Sequence, residues 1–251
     1  MARSSYAEFQ TEATRGWVEA FWTMTGGGEA ARILPDGCVD FIFNLDSGEA
    51  TAIGTMSASQ IVVPSLGARR FGVRFSPGTA GALFEPAAHE LTDRSALLAD
   101  VSRAAARYHL AERIAEARSH ADRARIIATY LATGSARSRA RDARVLRAIS
   151  QLRAAPGEQP IAALAADVGV SERQLERLFH AHVGARPKLF ARVLRMQRAL
   201  ASLETEAATQ AAHAQATRFA DKAHLVREFR ALTGLTPRGL LAERRLGSAR
   251  E

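Results

Sequence analysis

The chain has 251 residues, 47% of them hydrophobic, a formal net charge of +8 at pH 7 and one cysteine, Cys38, so it is long enough for two domains of ordinary size. A single cysteine excludes an intrachain disulfide and a cysteine-built zinc site. No apolar run approaches the roughly 20 residues of a membrane span, and the polar start MARSSYAEFQTEATRG lacks the pattern of a signal peptide, so a cytoplasmic protein is expected.

Positive charge is concentrated in the second half of the chain. Residues 1–136 hold 13 Lys or Arg against 15 Asp or Glu, a net of −2, whereas residues 137–251 hold 21 against 11, a net of +10. These ranges are the two expected domains, and the basic one is predicted to bind a polyanion. Only Lys188 and Lys222 are lysines, and guanidinium groups suit phosphate or guanine better than ammonium groups do. A GC-rich genome would also favour arginine codons, but it would not explain the asymmetry.

The amino-terminal domain is predicted to be rich in β-strands. Its short apolar runs are separated by turn sequences with Gly, Pro or Asp, and apolar and polar residues alternate over residues 69–75, which indicates a sheet with one buried face. From about residue 81 to 133 the composition favours helices, and the Ser/Arg/Gly-rich residues 134–140 are the candidate linker. The candidate strands are 17–24, 38–45, 60–63 and 69–75.

No catalytic or metal centre is predicted in this domain. Cys38 is interpreted as a small core residue, and Asp36 and Asp40 as turn or cap residues rather than an acid/base pair. Because His89 is the only histidine before residue 100, we expect no metal. We also expect no cofactor and no enzymatic activity. No effector-binding residue is assigned. A ligand pocket and an ordinary core are the alternatives for six aromatic residues, Trp17, Trp22, Phe41, Phe43, Phe71 and Phe75.

The basic domain is predicted to begin with a helix at about 141–154, followed after a Pro-Gly break by two helices and a tight turn. Gly169 suits a left-handed helix end, and Ser171 suits the N-cap of the next helix. The buried stripe of the first helix is Ile161, Leu164, Ala165 and Val168. Burial of Leu175, Leu178 and Phe179 in the second helix leaves an outward face of Glu172, Arg173, Gln174, Glu176 and Arg177.

That outward face carries groups that can contact base edges. A recognition helix places its N-terminal side chains in the major groove, where Arg can bond guanine in a fork and Gln can pair with adenine. A plain helical hairpin with a solvated charged face is the alternative.

A long helix and a second helical pair follow. Pro187 opens a helix that is predicted to reach about residue 203. Beyond it, LVREFRALTGLTP repeats the earlier LERLFHAHVGARP, since both contain Leu-x-x-x-Phe, a Gly five residues later and a Pro three residues beyond that. The second pair is therefore predicted to have a turn at Arg218-Phe219 and a helix that buries Leu225 and Phe229.

The segments SERQLERLF, VLRMQRAL, FADKAHLVREF and TGLTP, in this order, resemble the DNA-binding domain of AraC/XylS transcriptional regulators over about residues 161–241. The resemblance implies two helix-turn-helix units joined by a helix, and so an α+β protein with an all-α carboxyl-terminal half. RILPDGCVDFIFNL and GVRFSPG are similar to the small β-rich sensory module of some members, over about residues 15–80. By resemblance, the DNA-contacting residues are Arg173, Gln174, Glu176 and Arg177 in the first unit and Lys222, Ala223 and Arg227 in the second.

The second unit departs from the family pattern. Gln210 and His213 stand where aliphatic residues are usual, and Arg218 stands where Gly is usual. A non-glycine residue in a left-handed turn costs about 1 kcal/mol, and a buried unpaired polar group costs about 1 to 3 kcal/mol. A loose second unit and a helix turned so that both polar residues face solvent are the two alternatives.

The expected function is sequence-specific DNA binding by a transcriptional regulator that contacts two successive major-groove segments under control of its amino-terminal module. The alternative is a protein-binding adaptor or anti-activator with a degenerate second helix-turn-helix. Double-stranded DNA is the expected partner, and no membrane is expected. The resemblance leaves open RNA polymerase, a small-molecule effector and a second copy of the chain as further partners.

Overall fold

The structure is a computed structural model that describes residues 5–28, 30–133, 140–157, 159–209 and 222–248. Its strands are β1 (Ser5–Phe9), β2 (Val18–Thr25), β3 (Ala31–Ile33), β4 (Val39–Asn44), β5 (Ala50–Ile53), β6 (Gln60–Val62), β7 (Arg70–Phe75) and β8 (Ser95–Leu97). Six of them form one antiparallel sheet in the order β1-β2-β7-β4-β5-β8, and β3 pairs with β6. The four predicted strands correspond to β2, β4, β6 and β7, and the predicted α+β class is confirmed.

Alternating side chains explain the pairing at the centre of the sheet. In β4 and β7, Phe41 lies opposite Val73 and Phe43 lies opposite Phe71, and all four are buried. Their intervening neighbours point to the other face, so each strand gives its apolar residues to one side. That side forms the core of the amino-terminal half.

Four helices cover the apolar face of the sheet: α1 (Leu98–Val101), α2 (Arg103–Arg107), α3 (Leu110–Glu116) and α4 (His120–Ala132). Leu110, Ile114 and Ile127 are buried in the same cluster as the strand phenylalanines. Helices had been expected from about residue 81, but they begin only at Leu98. Residues 81–97 instead hold short 3-10 turns and the edge strand β8, because Pro86 and the left-handed Asp93 interrupt a longer helix.

The carboxyl-terminal half is helical. It contains α5 (Ala143–Ala154), α6 (Ile161–Asp167), α7 (Glu172–His182), α8 (Pro187–Thr209), α9 (Lys222–Thr233) and α10 (Pro237–Ser248). Asp142 begins α5, because its carboxylate accepts hydrogen bonds from the backbone N–H groups of Arg144 and Val145. Of the predicted linker, residues 134–139 lie outside the described residues.

These helices form two apolar clusters that α8 joins. One contains residues from α5, α6, α7 and the start of α8, such as Phe179 and Phe190. The other contains residues from later in α8 together with α9 and α10, such as Met196 and Phe229. Leu34 from the amino-terminal half is buried in this second cluster.

The two halves of the chain pack directly on each other. Glu19 pairs with Arg153 of α5 at 3.1 Å, and the side chain of Gln197 in α8 donates to the carbonyl oxygen of Pro35 at 2.7 Å. A Cβ atom at Gly37 would lie 2.3 Å from the ring of Phe190. The glycine therefore permits an approach that no other residue would allow.

Substitution of Gly72 tests the packing of the sheet. A Cβ atom there would lie 1.8 Å from the indole ring of Trp22, so Gly72→Ala is expected to lower the free energy of unfolding by about 3 kcal/mol through overpacking. The control is Gly48→Ala, where space is open and only left-handed strain of about 1 kcal/mol applies. Urea denaturation followed by circular dichroism measures both. A smaller loss for Gly72→Ala than for Gly48→Ala would contradict this packing.

Candidate nucleic-acid interface

Helices α6 and α7 are joined by the predicted tight turn. Gly169 has a left-handed φ of 73°, and the backbone N–H of Val170 donates to the carbonyl oxygen of Ala165 at 3.0 Å. The hydroxyl of Ser171 accepts a hydrogen bond from the backbone N–H of Gln174 at 3.2 Å. Glycine therefore ends α6 and serine begins α7, as the residue types require.

Burial on one side of α7 determines which residues face outward. Leu175 and Phe179 are completely buried, and Leu178 is half-buried. Three of the four predicted DNA-contacting residues of this helix are exposed on the other side, as is Glu172, and Gln174 is half-buried. The exposed residues are Glu172, Arg173, Glu176 and Arg177.

Arg173 and Arg177 lie one helical turn apart on the exposed side of α7. Among the described residues, neither guanidinium group forms an ion pair or a side-chain hydrogen bond. These two guanidinium groups can therefore donate several hydrogen bonds to an external acceptor without first breaking a contact within the chain.

The internal repeat is present in the structure with an offset of fifty residues. Phe179 and Phe229 are both completely buried, and Gly184 and Gly234 both have a left-handed φ, of 87° and 75°. Pro187 opens α8 as Pro237 opens α10. By this offset, Ala223 and Arg227 of α9 occupy the positions of Arg173 and Arg177 in α7.

The predicted contact residues of the second unit lie at the start of α9. Ala223 and Arg227 are exposed, and Lys222 is the first residue of the helix. The side chain of Lys222 lies outside the described part of the chain, as do Gln210, His213 and Arg218. The two alternatives given above, a loose second unit and a helix turned so that its polar residues face solvent, therefore stay predictions.

A half-buried ion pair that the sequence pattern did not reveal attaches α9 to α8. The guanidinium Nε of Arg192 contacts the carboxylate of Glu228 at 3.0 Å, and Arg195 lies 3.8 Å from the same carboxylate. Glu228 follows Arg227 directly, so this pair helps to hold the exposed side of α9 away from α8.

The amino-terminal sheet carries a separate polar cluster on the face opposite to its core. The indole N–H of Trp22 donates to Asp40 at 2.8 Å, and the guanidinium of Arg74 lies 3.6 Å from Asp40 and 3.4 Å from Asp36. Burial raises the pKa of Asp40 to about 6, although the positive charge of Arg74 and the bond from Trp22 act in the opposite direction. Asp36 also accepts from the backbone N–H of Cys38, as expected of a turn residue.

Five of the six candidate aromatic residues belong to the buried core cluster, which favours the core interpretation over a ligand pocket for Trp17, Phe41, Phe43, Phe71 and Phe75. Trp22 is buried on the opposite face of the sheet, in the polar cluster, and Cys38 is also buried. Burial, with a further contribution from Asp36 and Asp40, raises the pKa of the Cys38 thiol. The thiol therefore stays protonated and is a poor nucleophile. Within the described residues, no group of three or more His, Cys, Asp or Glu is placed to hold a metal ion, and no helix is long and apolar enough to cross a membrane.

Two family models match the chain. A model described as a helix-turn-helix domain, of the AraC type, matches residues 164–243, which run from within α6 to α10. A second, described as a domain of unknown function (DUF6597), matches residues 12–96, which include β2 to β7. No curated protein and no solved structure matches the chain.

The raised pKa of Asp40 predicts a pH dependence of stability. Because the folded-state pKa of about 6 lies above the unfolded value of 3.8, the folded protein holds a proton that the unfolded chain releases. The free energy of unfolding of the wild type, relative to Asp40→Asn, is therefore expected to fall as pH rises from about 4 to about 6 and to level off above it. Urea denaturation across this range measures the difference. A difference that is independent of pH, or that grows with pH, would rule out a raised pKa of Asp40 in the folded protein.

Proposed function

We propose that the chain, whose residues 164–243 match the AraC-type helix-turn-helix model, is a DNA-binding transcriptional regulator that binds two successive major-groove segments of double-stranded DNA through α7 and α9. The exposed side of α7, with Arg173 and Arg177 unpaired among the described residues, is the observation that carries this proposal. Two recognition helices on one face of DNA lie roughly 34 Å apart, one helical turn of the duplex.

Each proposed contact residue has a chemistry that suits a base edge or a phosphate. Arg173 and Arg177 can donate two hydrogen bonds each to guanine, Gln174 can pair with adenine, and Glu176 can accept from cytosine. In α9, the equivalent positions are Ala223, which can contact the thymine methyl group, and Arg227, with Lys222 at the helix start.

Phosphate contacts supply most of the affinity in this proposal. Residues 137–251 have a net charge of +10, and cations that neutralise phosphates release bound counterions. Binding should therefore weaken steeply as salt is raised, whereas the order of preference among sequences should follow the α7 and α9 side chains.

The amino-terminal domain is proposed to control the DNA-binding half. We place the boundary between residues 1–136, a sensory or interaction domain with a helical linker, and residues 137–251, the DNA-binding domain. Control would act by shifting the population of DNA-competent molecules, through a small-molecule effector or a second copy of the chain, and RNA polymerase is the further partner. A regulator of this type works in the cytoplasm beside the DNA and has no enzymatic activity of its own.

The α7 assignment is tested on DNA selected by the full-length protein from a random double-stranded library. Arg173→Ala and Arg177→Ala are each expected to lower the affinity by about 1 to 3 kcal/mol, because each removes a forked contact to a base. Fluorescence anisotropy at two salt concentrations measures the change, and circular dichroism verifies the fold.

The matched control for either α7 variant is Arg107→Ala, which removes the same single charge from an exposed position of the amino-terminal half. It should leave the affinity within about twofold of the wild type if charge alone does not explain the loss. Unchanged binding by the α7 variants would refute the assignment.

Footprinting tests the second unit. Protection of two adjacent groove segments supports tandem binding by α7 and α9. Protection of one segment or none would favour the protein-binding adaptor, in which the second unit is degenerate.

A further inference from the structure

The amino-terminal half contacts the same point in both repeats of the DNA-binding half. The hydroxyl of Thr55 donates to the carbonyl oxygen of Val183 at 2.5 Å, just after α7 ends. The hydroxyl of Ser59 donates to the carbonyl oxygen of Thr233, the last residue of α9, at 2.9 Å. Val183 and Thr233 are fifty residues apart and so are equivalent positions of the repeat.

In each repeat, one neighbouring carbonyl group also accepts a hydrogen bond from the amino-terminal half. The hydroxyl of Thr92 donates to the carbonyl oxygen of Gly184 at 2.5 Å, and the backbone N–H of Ser59 donates to that of Leu232 at 2.7 Å. Carbonyl groups at the carboxyl end of a helix lack partners within the helix. The amino-terminal half supplies donors to them, so it caps α7 and α9 at the ends opposite to their proposed DNA contacts.

One short loop provides a cap to each helix. Residues 54–59 connect β5 to β6 and carry both Thr55 and Ser59, and we name them the bridging loop. Ser57 bonds to the carboxylate of Asp93 through its backbone N–H at 2.7 Å and its hydroxyl at 2.6 Å. The backbone N–H of Asp93, which has a left-handed φ of 59°, donates in turn to the carbonyl oxygen of Thr55. The loop is therefore held at both ends and at its centre.

Arg32 adds a charged contact beside the bridging loop. Its Nη1 donates to the carbonyl oxygen of Thr233 at 3.0 Å, and its Nε pairs with the carboxylate of Glu243 in α10 at 2.9 Å. The Arg32 side chain is only 18% exposed. Because this largely desolvated guanidinium bonds to two different acceptors, it fixes the direction of the contact as well as the distance between the bonded groups.

We propose that the bridging loop and Arg32 set the relative position of α7 and α9, and that the amino-terminal half thereby determines which spacing between two groove segments the protein accepts. This inference rests on the proposed function. Within the carboxyl-terminal half, α7 and α9 pack on different stretches of α8, in separate apolar clusters, so their relative position depends on the bend and twist of one shared helix. The bridging loop forms a second link between the same two helices and restricts that bend and twist. Thr55, Ser59 and Arg32 are positioning residues, since they lie at the helix ends away from the proposed base contacts.

The first test measures the distance between α7 and α9 without DNA. Spin labels are attached at Glu172→Cys and Arg230→Cys, two exposed positions, in a Cys38→Ala background. The full-length protein is expected to give one narrow distance distribution, and the triple variant Thr55→Val, Ser59→Ala and Arg32→Met a broad one.

The matched control is Thr129→Val, Ser202→Ala and Arg69→Met, which makes the same chemical changes away from this contact. If the triple variant does not fold, Thr55→Val and Ser59→Ala are measured singly.

The second test measures spacing selectivity on the selected DNA site and on the same site with one or two base pairs inserted between its halves. The wild type and the control are expected to prefer the original spacing. The ratio of the affinity for the original spacing to the affinity for the altered spacing is expected to be at least threefold lower for the triple variant.

An unchanged distance distribution overturns the proposal, whatever the DNA binding. A broader distribution with unchanged spacing preference also overturns it. If no form binds DNA and the triple variant still broadens the distribution, the proposed function fails and positioning of α7 and α9 by the bridging loop is supported.

Discussion

Burial of one phenylalanine in each repeat of the carboxyl-terminal half is the constraint on which the proposed interface depends. Phe179 packs edge-on against Phe190 of α8 at 6.0 Å between ring centroids, and Phe229 is equally buried in the second cluster. Because an α-helix advances about 100° per residue, burial of this position turns Arg177 and Arg227, each two residues earlier, away from the core. The buried phenylalanine in each helix therefore determines both how the helix packs and in which direction its arginine side chain points.

The contact between the two halves of the chain is mainly one of complementary polar groups around a few close apolar approaches. Serine, threonine and arginine side chains of the first half bond to helix-end carbonyl groups of the second. In the apolar part of the boundary, Gly37 allows the close approach of Phe190, and Leu34 is buried in the second cluster. Such bonds contribute about 1 kcal/mol each, so their number and geometry, rather than the strength of any one of them, hold the halves in register. Inter-domain boundaries of this polar kind can be opened by modest changes in free energy.

Much of the fold could be predicted from sequence, for identifiable reasons. The first helix pair was correct because glycine, serine and a helical apolar stripe each act locally, and β4 and β7 because their side chains alternate between a buried and a solvated face. Strands β1, β3 and β8 were missed because they are short or largely exposed, so no alternation marks them. Strand β5 alternates between buried and half-buried residues, but it has only four residues and its two buried ones are alanines. The contacts of Arg32 with Glu243 and of Thr55 with Val183 join residues 211 and 128 positions apart. Pairings over such separations depend on tertiary packing and leave no periodic pattern in the sequence.

Helix α8 also affects how the carboxyl-terminal half unfolds, because both apolar clusters include residues from it. Its first turns give Phe190 and Ala191 to one apolar cluster, and its later turns give Val193, Met196 and Leu200 to the other. Melting of this helix would expose both clusters to water together, so any opening that melts α8 removes the native packing of both. Segments that share a buried element in this way form one cooperative unit. The amide hydrogens of α8 should therefore exchange with solvent only through openings that expose both clusters.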